Sequence, residues 1–180
     1  MAIKTILVSQ PQPEGDKSPY FDLADKYKLK IDFRPFIKVE GIDAKEFRAQ
    51  KINLADHTGV ILTSKVAVDH FFRIALETRF EVPESMKYFC ISEAVALYLQ
   101  KYVPYRKRKI FFGKQTIEEL TELMKKHKGE NYLLPCTDIL RDNIPQTLEL
   151  QKMQFSKTIL YRTVASDLSD LEDVYYDLLV

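Results

Sequence analysis

Four places in this chain set small or polar residues where a helical pattern opens. They are Thr63-Ser64, Ile91-Ser92, the run Gly113-Lys114-Gln115-Thr116, and Cys136-Thr137-Asp138. Each follows a short apolar run: GVILT, MKYFC, KIFF and YLLP. Runs of this kind read as strands. A fresh helix N-terminus presents unpaired N–H groups and the positive end of the helix dipole, which suit a carboxylate or a phosphate. In an open parallel sheet, ligands bind outside the carboxyl ends of the strands. Four such ends on one sheet edge therefore imply an anion-binding rim. Plain N-capping by Ser, Thr or Asp is the competing reading at every one of these positions.

Other chemistries find less support. Cys90, Cys136, His57, His70 and His127 lack metal-ligand spacing, and buried cysteine usually belongs to a core. No G-x-S-x-G, Walker loop or G-x-G-x-x-G occurs. Arg106-Lys-Arg-Lys109 is a basic run that reads as a solvated loop. Tyr161 and Arg162 put polar tips into a long apolar strand, where a structural role for the tyrosine is the plain reading.

The elements that would position these residues follow from pattern. Lys4–Val8 reads as a buried strand, Gln12–Ser18 as a loop, and Tyr20, Leu23, Ala24 and Tyr27 as one helix face with Pro19 in its first turn. Leu29–Val39 alternates as one long half-buried strand, with Pro35 marking a bend or an edge. From Gly59 the rhythm becomes strand, helix, strand, helix. Thr116 and Glu119 form a capping-box pattern, Gly129 is placed to end that helix, and Ile144–Leu150 is the last helix of the series. Met153–Val164 then reads as a long strand, Leu168–Tyr176 as a helix, and Asp177–Val180 as the start of another strand. Alternating strands and helices imply an α/β fold whose parallel sheet is covered on both faces.

Composition bounds the function. The 180 residues allow one sizeable domain or two small lobes. A net charge of +1 argues against a dedicated nucleic-acid binder, which carries a basic excess. No apolar run reaches membrane-spanning length, and the N-terminus meets Pro, Glu and Gly too early for a signal peptide. Two cysteines are too few for a disulfide scaffold. The expectation is a soluble, cytoplasmic protein that binds an anionic small molecule, with no membrane and no nucleic-acid partner.

The order of pieces resembles the uroporphyrinogen-III synthase family. Gly59-Val-Ile-Leu-Thr-Ser64 with Val66-Ala-Val68 looks like that family's strand, Thr-Ser turn and helix. Tyr88-Phe-Cys-Ile-Ser92 with Ala94–Leu97 is similar to its next step. Leu134-Pro-Cys136 with Arg141 and Pro145 resembles its strand and Arg-bearing helix, and Thr158–Val164 its Val-Tyr-x-Thr return strand. The resemblance runs from Ile6 to Val180. It implies two flavodoxin-like lobes, parallel sheets flanked by helices, joined by two long strands. The first lobe would comprise about Met1–Lys38 and Tyr161–Val180, and the inserted lobe Val39–Leu160. The family continues past this point, so the first lobe is expected to be C-terminally incomplete.

The resemblance also implies a chemistry: cyclisation of hydroxymethylbilane, a linear tetrapyrrole octacarboxylate, with inversion of ring D and loss of water. Such a reaction is governed by orientation and calls for no metal or redox cofactor. Thr63, Ser64, Lys65, Ser92, Thr137 and Arg141 would bind substrate carboxylates. Tyr161 matches the family's tyrosine and would assist departure of the hydroxyl as a weak general acid. The protein is expected to act as a monomer. Departures accompany the likeness. Thr-Arg-Pro is replaced by Ser9-Gln10-Pro11, and the Gly-x-x-Thr-Ala step by Ile91-Ser92-Glu93-Ala94-Val95, so no role for that threonine carries over. Thr137 stands where glycine is common. A rival reading is a non-catalytic anion- or effector-binding module. A receiver-type signalling domain would want acidic residues after the first strand, and Ser9-Gln10-Pro11 supplies none.

Overall fold

A computed structural model describes residues 3–15, 17–139 and 143–180. In chain order its elements are β1 (Thr5–Val8), α1 (Pro19–Tyr27), β2 (Lys30–Phe33), β3 (Ile37–Gly41), α2 (Ala44–Ala49), β4 (Gly59–Leu62), α3 (Lys65–Glu77) and β5 (Lys87–Cys90). There follow α4 (Glu93–Leu99), β6 (Ile110–Phe112), α5 (Ile117–Met124), β7 (Tyr132–Thr137), α6 (Asn143–Leu150), β8 (Phe155–Ala165) and β9 (Leu178–Leu179). The chain divides into two compact units: one made by residues up to Val39 and from Thr163 onward, the other by Glu40–Arg162.

The first unit holds a three-stranded parallel sheet in the order β2-β1-β9. Ser18 caps α1, its hydroxyl accepting from the Tyr20 amide at 3.3 Å, and Pro19 fills the first turn where no N–H is needed. The rings of Tyr20 and Phe21 meet Phe33 edge-on, at 5.4 and 6.1 Å between centroids. Asp177 ties β9 to β1. Its Oδ2 accepts from the Lys4 amide at 2.8 Å, the Thr5 amide at 2.9 Å and the Thr5 hydroxyl at 3.0 Å.

Two sequence expectations are corrected in this region. Leu29–Val39 is not one strand. It breaks at Arg34-Pro35-Phe36 into β2 and β3, which belong to different sheets. Pro35 has no N–H to offer a ladder, so the chain can change sheets there without losing a hydrogen bond. Nor is Leu168–Tyr176 a helix; only a 3₁₀ turn forms, over Ser169–Leu171. Val174 and Tyr175 are exposed, Tyr175 at 92%. A short helix with no buried stripe is not stable in water. The segment is held instead by the Tyr176 hydroxyl, which donates to Asp32 Oδ2 at 2.9 Å.

The second unit is built on a six-stranded sheet in the order β3-β8-β7-β4-β5-β6, and β8, β7, β4, β5 and β6 are parallel neighbours. Side chains alternate across it. Val60, Leu62, Tyr88, Cys90 and Leu133 enter one core with Phe47 of α2, Val68, Phe71 and Ile74 of α3, and Val95 and Leu99 of α4. Ile61, Phe89, Tyr132 and Leu134 enter the other with Ile117, Leu120 and Met124 of α5 and Leu148 of α6. The period of two thus buries both faces, and the continuous apolar runs of the sequence are its signature.

Details differ from pattern. The short helix α2, capped by Asp43 accepting from the Glu46 amide at 2.7 Å, was not expected. Beyond it Gln50 acts as a side-chain stand-in for a neighbouring strand. Its Nε2 donates to the Ile159 carbonyl at 2.8 Å, and its Oε1 accepts from the Ile159 amide at 2.9 Å. The capping box before α5 is half formed. Thr116 Oγ1 accepts from the Glu119 amide at 3.4 Å, but Glu119 Oε2 accepts from the Lys114 amide at 3.0 Å rather than closing on Thr116. Gly129 does not end that helix in a left-handed turn. A 3₁₀ turn over Lys125–His127 does so, and among described glycines only Gly15 has a positive φ, 82°.

Candidate functional site

From β4 the chain steps to β5 and β6 on one side, then returns to place β7 on the other side of β4. The covering helices change face at the same reversal: α3 and α4 pack on one side, α5 and α6 on the opposite side. In a doubly wound sheet this reversal opens a crevice at the carboxyl ends of the two strands concerned. Here those ends carry Thr63-Ser64 after β4 and Thr137 closing β7.

Three of the four strand ends open helices capped by hydroxyls. Ser64 Oγ accepts from the Ala67 amide at 3.0 Å, Ser92 Oγ from Val95 at 3.4 Å, and Thr116 as described above. Each cap satisfies one of the first-turn donors and leaves others available to an anion. Thr63 is half-buried beside Ser64. Thr137 is turned toward its neighbour, donating to Asp138 Oδ1 at 2.8 Å. Arg141 lies outside the described residues. Lys65, exposed in the first turn of α3, reaches sideways: its Nζ stands 5.4 Å from the Tyr98 ring centroid. Lys101 sits near the same ring, 5.3 Å from Tyr98, and 5.7 Å from Tyr102 just beyond α4, and Tyr98 and Tyr102 both donate to Asp69.

Tyr161 reaches this site because β8 is irregular. Its register against β7 runs evenly up to Ile159 opposite Cys136, then jumps to Tyr161 opposite Thr137. Leu160 is the extra residue of a β-bulge, and bulges re-aim the side chains that follow them. Leu160 and Tyr161 are consecutive yet both buried in the same core, which plain alternation forbids. The Leu160 carbonyl accepts instead from the Ile42 amide at 3.1 Å and from Arg73 Nη2 at 3.2 Å. Tyr161 is 9% exposed. Burial raises its phenol above the ordinary tyrosine range; the Ser64 hydroxyl at the end of β4 offsets part of the rise, and Cys136 adds to it. Of the sequence-derived candidates, the structure thus brings Tyr161, Ser64 and Thr137 together, sets Ser92 one strand further along, and turns Lys65 toward α4.

Sequence reasoning weighed His70 only as a metal ligand and passed over Arg73. They lie three apart on α3, with Glu77 four further on, a spacing that sets all three on one helix face. The His70 ring stacks on Tyr161 with centroids 5.1 Å apart and planes 21° from parallel.

The remaining groups suit a core or a solvated edge. Burial raises the Cys90 thiol to about 12 and the Cys136 thiol to about 11, so neither is a thiolate near neutral pH. Arg106 pairs with Glu84 at 2.9 Å beside a cavity of about 140 Å³ at the amino ends of β5 and β6, away from the strand-end rim. Among the described residues no cluster of His, Cys, Asp or Glu has the makings of a metal site, and no helix is long and apolar enough to cross a membrane.

A sequence family described as uroporphyrinogen-III synthase HemD matches residues 21–177. No curated protein matches the sequence. Among solved structures, a mutant uroporphyrinogen III synthase from Thermus thermophilus superposes with a TM-score of 0.62 at 14% identity, over 91% of this chain and 64% of that one. The wild-type Thermus enzyme gives 0.59 at 14% identity, over 91% and 63%. Uroporphyrinogen-III synthetase from Helicobacter pylori gives 0.58 at 16% identity, over 99% and 73%. This chain therefore spans a little under two-thirds of the Thermus proteins it resembles. At these identities the likeness is one of fold.

Proposed function

Because the chain belongs to the uroporphyrinogen-III synthase family, we propose that it closes hydroxymethylbilane to uroporphyrinogen III. The two compact units are read as that fold's two lobes, with β3 and β8 as the joining strands. The observation that carries the reading is the shift of register that sets Tyr161 opposite Thr137, at the carboxyl end of β7 beside the reversal between β4 and β7.

The chemistry asks little of the side chains and much of geometry. The hydroxyl of the hydroxymethyl group leaves as water when its oxygen is protonated, and the methylene carbon stays on the ring as an azafulvene. The substituted carbon of ring D attacks this electrophile and forms a spirocyclic pyrrolenine. Fragmentation and re-closure through the other ring position then invert ring D. Bilane also closes unaided without inversion, so the protein must mainly hold one arrangement of rings. Backbone N–H groups at the openings of α3 and α4, with Thr63, Ser64, Lys65, Ser92, Thr137 and Arg141, would hold the carboxylates. Tyr161 keeps its proton at neutral pH and donates it to the departing hydroxyl. The protein would act as a cytoplasmic monomer without nucleic acid.

The test is incubation of the full chain with hydroxymethylbilane and chromatographic separation of type III from type I product. A type III excess over the uncatalysed mixture is expected. A titration with a stable octacarboxylate at two ionic strengths should show weaker binding at high salt, since carboxylates face dipoles and a few cations. Type I product alone, together with salt-independent binding, would overturn the reading in favour of a protein that does neither job at this rim.

A further inference from the structure

Tyr161 is held by more than its strand. The His70 ring stacks on the phenol at 5.1 Å. Arg73, one turn further along α3, then joins three separate pieces. Its Nε donates to His70 Nδ1 at 3.1 Å, its Nη1 to Glu77 Oε1 at 2.6 Å, and its Nη2 to the Leu160 carbonyl at 3.2 Å. The planar guanidinium thus spends each nitrogen on a different partner, a fixed fork that no lysine could reproduce. One prong orients the imidazole and leaves Nε2 to carry the proton of the neutral ring. Another grips the carbonyl that the bulge has released, in the residue before Tyr161.

We propose that His70 and Arg73 are positioning residues for Tyr161, fixing the direction of the phenol at the end of β4. The idea rests on the reading that Tyr161 assists loss of the hydroxyl. The backbone supplies the space for it: Gly41 of β3 faces Arg73 and His70 with no room for a Cβ. His70 is suited to the neutral form that the stack and the Arg73 bond require. Burial and the adjacent Arg73 charge lower its pKa, outweighing the carboxylates of Asp69 and Glu77. A ring whose backbone is fixed at the bulge and whose face is stacked on a clamped imidazole has little freedom to swing away.

The experiment compares wild type, His70→Ala, His70→Phe, Tyr161→Phe and the His70→Ala/Tyr161→Phe pair as full chains. Two readouts are taken: kcat and KM for type III product, and the ring signals of Tyr161 in protein carrying labelled tyrosine, assigned by their loss in Tyr161→Phe. His70→Ala should lower kcat by roughly ten- to a hundredfold, the cost of a small misplacement of a reacting group, with KM within about twofold. His70→Phe keeps the stack and should recover most of the loss. The double variant should be no slower than Tyr161→Phe alone. The Tyr161 ring signals should move in His70→Ala and stay close to wild type in His70→Phe. Additive losses in the double variant, or unmoved ring signals in His70→Ala, overturn the proposal. If Tyr161→Phe leaves type III turnover unchanged, the catalytic reading of Tyr161 is what fails, and the ring signals alone decide the positioning claim. Should His70→Ala fail to fold, Arg73→Lys, which keeps the charge but loses the fork to His70, Glu77 and Leu160, takes its place: moved Tyr161 ring signals are expected, and unmoved signals overturn the proposal.

Discussion

The Arg73 guanidinium rests against the backbone of Gly41, so close that a Cβ there would stand 2.7 Å from Arg73 Nη2 and 2.8 Å from His70 Cε1. An arginine tip would normally yield to such an intruder. This one is held by His70, Glu77 and Leu160 together. Gly41→Ala should therefore cost stability in the range of core overpacking, about 1–3 kcal/mol, rather than being absorbed. A melting curve against Arg73→Ala checks it. A Gly41→Ala protein as stable as wild type would mean that the guanidinium moves aside freely.

Tyr161→Phe should slow turnover while preserving type III product. Losing a general acid removes about two to four orders of magnitude where that acid is essential. A smaller loss is expected here, because a phenol raised above its ordinary range is a weak donor and azafulvene forms without any enzyme. Product ratio and melting temperature are measured together. Abolished type III product with unchanged melting would make Tyr161 indispensable and the orientation-first account wrong.

Ser64 and Ser92 cap helices in the same way but have different neighbours. Replacing either by Ala should lower stability by about 0.5–2 kcal/mol. Only Ser64 adjoins Tyr161, so Ser64→Ala should slow type III formation severalfold more than Ser92→Ala does. Equal kinetic effects would reduce Ser64 to a cap.

Asp177 is a strand clasp with a pH dependence. Hydrogen bonds from the Lys4 amide, then the Thr5 amide and hydroxyl, hold its carboxyl below the usual range. A depressed folded-state pKa contributes stability that is complete above the unfolded value near 3.8 and is lost as pH falls through the lower folded value. Exchange of the Thr5 and Lys4 amide protons should therefore lose protection below about pH 4, and Asp177→Asn should show that loss already at neutral pH. Protection indifferent to both changes would remove the clasp.

Much of the second unit was legible in the sequence because its strands are buried on both faces. GVIL and KYFC could hardly be anything else between helical patterns, and the order of polar strand ends followed from them. What escaped was set by single residues acting at a distance in sequence. Pro35 splits one alternating pattern between two sheets, and alternation alone cannot say that. Leu168–Tyr176 has helical spacing but nothing to bury it against. The bulge at Leu160 leaves no mark in composition, so the burial of adjacent Leu160 and Tyr161 could not be read. The role of His70 and Arg73 could not be read from their own helix, since the Tyr161 ring and the Leu160 carbonyl that they meet lie far along the chain on β8.

The Gln50 carboxamide that imitates a strand beside Ile159 carries a chemical liability. Side-chain amides hydrolyse slowly as proteins age, and deamidation here would turn the donating Nε2 into an oxygen facing the Ile159 carbonyl, now 2.8 Å from it. Two acceptors would then oppose each other where a bond had been, while the bond from the Ile159 amide to Oε1 would survive. The aged protein would keep its fold but loosen β8 one residue before the bulge, upstream of Tyr161. Gln50→Glu reproduces that aged form directly, and a melting curve of it reads how much of the β8 edge hangs on one amide.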